Sequence, residues 1–160
     1  MKPTSLLLAL MLLSGGLSFA EVVRPVPPIA FPPVDGQARS LKSFAGQPVI
    51  LLLADSAKRG DFRTQLKEMQ KSFDRLAIRK TVVAAAFKNP EPGDIHSDIP
   101  VITLPEGARV CEALKLKGKF SIALIGPDGN LDYITDKILN INRILEVMQN
   151  SYEMQKAAHR

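Results

Sequence analysis

The chain has one cysteine among its 160 residues, Cys111, and that scarcity excludes several kinds of chemistry at once. No disulfide can form within the chain, and two thiols of the same molecule cannot run a redox cycle. No cysteine stands directly after the N-terminal apolar stretch, so an N-terminal lipid has no attachment point there. Histidine is nearly as scarce: the 2 present, His96 and His159, fall in a predicted loop and a predicted tail. No Gly-x-Ser-x-Gly elbow occurs, and without a nearby base Ser56 is a poor candidate for a hydrolytic nucleophile. Past the first twenty residues no apolar run reaches the roughly 18 residues that a membrane span needs. Neither internal repeats nor a sustained heptad register are present.

What the sequence does have begins at its N-terminus. Lys2 precedes an apolar stretch from Leu6 to Leu13, Ser14-Gly15-Gly16 breaks it, and Ser18-Phe19-Ala20 offers small residues at the two positions a signal peptidase reads. Residues 1–20 are therefore expected to be a cleavable secretory signal. The mature protein, starting near Glu21, is expected in the periplasm or secreted, with no transmembrane segment left after cleavage. Lys and Arg total 21 against 16 Asp and Glu. Without Lys2 the mature net charge is +4, too weak and too dispersed for a nucleic-acid binder.

Residues 21–33 hold five prolines and are expected to form an extended lead-in. A single domain is expected over 34–154, followed by a frayed tail at 155–160. Asp35-Gly36 is a turn signal. Gly46-Gln47-Pro48 opens the run Val49 to Leu53, which lacks alternation, as in a strand buried on both faces. Asp61 is the expected cap of a helix whose Phe62, Leu66, Met69, Phe73 and Leu76 fall on one face. Thr81 to Phe87 reads as a second buried strand, with alanines that let helices pack closely. A loop punctuated by Pro90, Pro92, Gly93 and Pro100 follows, then an extended 99–104. A short helix from Glu106 to about Leu116 should turn Val110, Ala113 and Leu114 inward, with Gly118 ending it. Phe120–Ile125 and Leu131–Ile134 read as a hairpin around Pro127-Asp128-Gly129-Asn130. Asp136 is the expected cap of a final helix carrying Ile138, Ile141, Leu145, Met148 and Tyr152 on one stripe. This βαβ-then-hairpin order predicts an α/β fold, a three-layer α/β/α sandwich around a mixed sheet of four to five strands.

Two segments, in this order and spacing, carry a resemblance over about residues 30–150. Leu41-Lys42-Ser43-Phe44-Ala45-Gly46-Gln47-Pro48-Val49-Ile50-Leu51 is similar to the turn and central strand of exported thiol-disulfide proteins and redoxins. Ala123-Leu124-Ile125-Gly126-Pro127-Asp128-Gly129-Asn130-Leu131 resembles the strand, Asp-Gly turn and return strand of the same group. The resemblance is to the thioredoxin-like superfamily. It implies a Cys-x-x-Cys at the end of the first central strand, where a helix N-terminus stabilises a thiolate. Here Ala57-Lys58-Arg59-Gly60 fills that place. It also implies a cis-proline just before the third strand, and Phe120 stands about where it would fall. The resemblance is thus to a degenerate member, and the family's dithiol activity does not carry over.

The expected function is a redox-inactive binding or assembly module of the envelope, with no cofactor and no bound metal. The contact surface suggested by the resemblance is Asp55, Ser56, Ala57, Lys58, Arg59, Gly60 and Asp61, with Lys119, Phe120 and Ser121 beside them. The partner would be a protein or extended peptide. Lys58 and Arg59, continued by Arg63, Lys67 and Lys71, would also suit an anionic surface. The alternative is a single-cysteine thiol oxidoreductase or peroxidase that uses Cys111 with a partner thiol. Glu112 beside it would raise the thiol pKa, and a small buried hydrophobe or an intermolecular link are its other readings. A third possibility is a ligand or metal carrier using Asp94, His96 and Asp98, which alternate along the 88–100 loop.

Overall fold

The computed structural model describes residues 24–26, 30–34, 37–44, 46–116 and 118–158. The expected signal peptide, the Asp35-Gly36 turn and much of the lead-in lie outside them. The expected mixed sheet is present, with four long strands and a two-residue strand on either edge. Its centre is β4 (Val49–Ala54), the unbroken apolar run, and all six of its residues are buried. Such a segment has no solvent-facing side, so it forms only where both faces are covered. It pairs in parallel with β5 (Val82–Phe87) and antiparallel with β7 (Phe120–Ile125). Beyond β7 lies β8 (Asn130–Thr135), and then β1 (Arg24–Pro25), set antiparallel on β8. Beyond β5 lies β6 (Ile102–Thr103), parallel to it. A separate ribbon joins β2 (Ala30–Val34) to β3 (Gln37–Ser40), and a 3-10 turn (Leu41–Phe44) leads toward β4.

The two sheet faces follow from strand alternation. On one, Ile50, Leu52, Val83, Ala85, Ile122 and Leu124 meet α1 (Gly60–Gln70), α2 (Phe73–Ala77) and α4 (Ile141–Ala158). On the other, Leu51, Leu53, Ala84, Ala86 and Ala123 meet α3 (Gly107–Ala113) through Val110, Cys111 and Leu114. The alanines of β5 let α3 sit very close. A β-carbon on Gly107 would stand 2.3 Å from the Phe87 carbonyl oxygen and 2.4 Å from its nitrogen, so glycine is required there by space alone.

Several expectations are corrected. The helix predicted across Phe62–Leu76 is two helices. Ser72 leaves the helical region at φ −146°, ψ 40° and resets the phase, so Leu76 stays buried while Phe73 is only half-buried. Asp61 is not the cap of α1. Arg59 occupies that position in an extended conformation without a side-chain cap bond, and Asp61 sits in the first turn. Asp136 does not cap the last helix either. Leu139 is first drawn into the core, and Asn140 then accepts the Arg143 amide at 2.9 Å to start α4. Ile138 thus precedes the helix stripe, while Ile144, buried and not anticipated, joins it. The helix continues to Ala158, past the expected domain end at 154.

Gln65 is a buried polar residue on α1 with no apparent place in the apolar pattern. It is fully buried, and its amide donates to the Leu139 carbonyl at 2.9 Å and accepts the Leu139 amide at 2.8 Å. This two-way clamp ties α1 to the segment that enters α4, 74 residues away.

Candidate functional site

The segment singled out by sequence leaves the sheet at the carboxyl end of β4. Ala54 is the last buried strand residue, and the chain from Asp55 to Arg59 turns into α1. Its backbone is held from two sides. The Asp55 amide donates to the Lys119 carbonyl at 3.2 Å, and the Ala57 amide to the Pro92 carbonyl at 2.9 Å. In return the amides of Lys88 and Asn89 donate to the carbonyls of Ala54 and Asp55, at 2.9 and 3.1 Å. The 88–93 stretch is thereby fastened across the end of the strand. Gly93, at φ +83°, lies under the Lys58 stem, and a β-carbon there would meet Lys58 Cε at 3.0 Å.

These contacts divide the predicted contact residues into two groups. Lys58, Gly60, Asp61 and Lys119 are exposed, and Asp55, Ser56 and Arg59 are half-exposed. Ala57, Phe120 and Ser121 are not on the surface at all, being only 3%, 3% and 2% exposed. The reason is register. Phe120 pairs with Ala54 and Ser121 with Leu53 inside the sheet. Ala57 packs in the same core cluster as Phe62 and Phe87, whose rings meet edge to face at 5.1 Å. Those three are therefore removed from the candidate surface.

The charges of this edge are also partly spent. Arg59 Nη2 donates to Asp61 Oδ2 at 3.2 Å, and Lys71 is paired with Glu68. Lys58, Arg63 and Lys67 have no carboxylate within 4.0 Å among the described residues. The basic stripe therefore survives as these three, on the outer side of α1 and its approach.

Cys111 is brought closer to this end of the sheet than its place in the chain implies. It lies on the opposite face of the sheet from α1, with Sγ donating to the Ala86 carbonyl at 3.6 Å. The residue is 2% exposed. Burial pushes its pKa up to about 11, and the Asp55 carboxylate adds to the rise, while a backbone hydrogen bond from Ala54 and the Lys88 charge oppose it. The acidic neighbour that matters is thus Asp55, not the exposed Glu112 expected from sequence. A thiol that reacts must be ionised, and burial holds this one protonated at neutral pH. The geometry opposes single-thiol catalysis.

Asp94, His96 and Asp98 all face outward, because Ile95 and Ile99 between them anchor the loop in the core. Ser97 stiffens it by bonding both the amide and the carbonyl of Ile99. Even so, among the described residues no three His, Cys, Asp or Glu side chains stand where they can hold one metal ion. Sequence reading missed a feature beside the β4 end, a cavity of about 500 Å³ between α3 and the end of β5. Its basic residues, Lys88, Arg109 and Lys115, are spread over 27 positions and leave no local signal.

No family model matches the chain, and no curated protein matches it. Solved structures do. A protein assigned as the thiol:disulfide interchange protein DsbE of Chlorobium tepidum superposes with a TM-score of 0.63 at 17% identity, covering 81% of this chain and 96% of its own. BsSco, a member of the Sco family of cytochrome c oxidase assembly proteins, gives 0.59 at 16%, covering 82% and 96%. Peroxidoxin BcpB of Mycobacterium tuberculosis gives 0.59 at 14%, covering 81% and 97%. The fold is thioredoxin-like. Among the described residues no helix is long and apolar enough to cross a membrane.

Proposed function

We propose that this chain is an exported, redox-inactive thioredoxin-like protein that serves as a binding or assembly module in the cell envelope. The observation that carries the reading is the state of its one thiol, 2% exposed with a pKa pushed up to about 11. The positions where the fold's dithiol is expected hold Ala57, which is buried, and Gly60, which opens α1. The likeness to BsSco, a member of a family of cytochrome c oxidase assembly proteins, supports an assembly role for the fold. The apolar N-terminal segment supports export.

The amides of Asp55 and Ala57 already bond within the chain, so this edge does not grip a peptide by strand pairing. Its exposed cations do the work instead, Lys58 beside the approach to α1 and Lys119 before β7, with Arg63 and Lys67 continuing the field along the helix. The partner is an acidic segment of an envelope protein. The test is capture from the protein's own envelope extract, comparing wild type with the Lys58→Glu/Lys119→Glu pair, alongside an insulin-disulfide reduction assay. Expected are a partner captured by wild type, its loss on charge reversal, weaker capture in high salt, and no catalysed reduction. Undiminished capture by the reversed variant, or disulfide reduction that Cys111→Ser abolishes, would overturn it.

A further inference from the structure

A second site lies on the other face of the sheet and uses none of the contact residues just described. The cavity of about 500 Å³ between α3 and the end of β5 is within the roughly 300–1,000 Å³ typical of small-molecule sites. It opens at the carboxyl ends of the parallel strands β4 and β5, where open α/β sheets bind their ligands. Ala108, Leu116 and the Cys111 side chain give it an apolar lining, and Lys88, Arg109 and Lys115 surround it with positive charge. Glu112 is the one acid in the lining, and Arg109 is already paired with Glu106.

Lys88 and Lys115 are different. Among the described residues neither has a carboxylate within 4.0 Å. Two ammonium groups without a carboxylate partner at one cavity favour an anion there. Lys115 is also held at φ +56°, the left-handed conformation that glycine normally supplies at a helix end. Glu106 at the other end of the same short helix stands at φ +52°. Non-glycine residues pay a steric cost in that region, and such strain gathers at ligand-binding segments. The helix between them is seated closely on the sheet, with Gly107 directly against the Phe87 backbone.

We propose that this cavity binds a small organic anion, an apolar body ending in a carboxylate, with the body against Ala108, Cys111 and Leu116 and the carboxylate between Lys88 and Lys115. Each lysine supplies a charge-assisted hydrogen bond, and the apolar side chains cover one side of the body.

Sodium octanoate is a suitable probe, titrated into the 15N-labelled protein at constant ionic strength and followed by amide NMR shifts. Saturable shifts at Lys88, Cys111 and Leu116 are expected. Lys115→Gly removes one charge and also relieves the backbone, so the variant should be at least as stable as wild type yet bind octanoate severalfold more weakly. Lys88→Gln/Lys115→Gly should weaken binding at least about tenfold. Arg75→Gln, on α2 in the far layer, should bind as wild type does. Sodium acetate, which has the charge without the body, should bind far more weakly. The proposal is overturned by shifts that do not saturate, by equal shifts from acetate, or by unchanged octanoate affinity in the folded double-lysine variant.

Discussion

Replacing Gln65 with leucine keeps the size of the side chain and removes both of its hydrogen bonds. The Leu139 amide and carbonyl, bonded to Gln65 at 2.8 and 2.9 Å, are left without that partner beside a residue only 7% exposed. An unsatisfied buried group costs about 1–3 kcal/mol, so two cost about 2–6 kcal/mol. The added apolar burial of leucine returns about 1–2 kcal/mol. A net loss of about 3 kcal/mol is expected, which lowers Tm by roughly 10 °C for a chain of this size. Urea unfolding at pH 7 is the assay, with the midpoint moving and the slope unchanged. Gln65→Glu refines the test. Above its pKa, which burial raises, the carboxylate cannot donate to the Leu139 carbonyl and carries an unpaired charge. As pH falls through that raised pKa the protonated acid regains a donor, so the deficit relative to wild type should shrink. A loss below about 1 kcal/mol for Gln65→Leu, or a Gln65→Glu deficit that does not change with pH, would refute the clamp.

Three further outcomes follow from the packing and capping. Gly107→Ala should destabilise by about 1–3 kcal/mol, the overpacking cost of a β-carbon 2.3 Å from the Phe87 oxygen. Thermal melts check this, and a rise in Tm from improved helix propensity alone would contradict it. Asn140→Ala should cost about 1 kcal/mol by removing the cap on the Arg143 amide, whereas Asp136→Ala should be close to neutral. The Cys111 thiol, raised to about 11, adds to stability fully below its unfolded pKa, and that share is lost as pH rises toward 11. Cys111→Ala should therefore flatten the decline in stability between about pH 9 and 11 seen by chemical denaturation of wild type.

What was legible in the sequence was whatever local pattern determines. The run Val49–Leu53 has no polar face and could only be a central strand. Phe120–Ile125 and the Asp-Gly turn beyond it were equally explicit. Features set by register were not legible. Phe120 and Ser121 are buried because they pair with Ala54 and Leu53, and nothing in their own segment reports a partner more than 60 residues away. Ala57 belongs to the core because the 88–93 stretch closes over it. Two helix caps were misplaced for a related reason. Asp61 and Asp136 are both good caps by type, but Arg59 and Asn140 stand where the chain bends, and the bend is fixed by the core that Phe62 and Leu139 must reach. Gln65 stands outside the apolar spacing of its helix, and its burial is explained only by the Leu139 backbone it satisfies.

The central claim is that the one thiol plays no redox part, and the alkylation rate of Cys111 against pH tests it most directly. In native protein the account predicts labelling that is slow at neutral pH and rises only toward the raised pKa of about 11, with rapid labelling once urea unfolds the chain. Fast native labelling with a midpoint well below about 8.5, the ordinary thiol value, would contradict it and return Cys111 to catalysis.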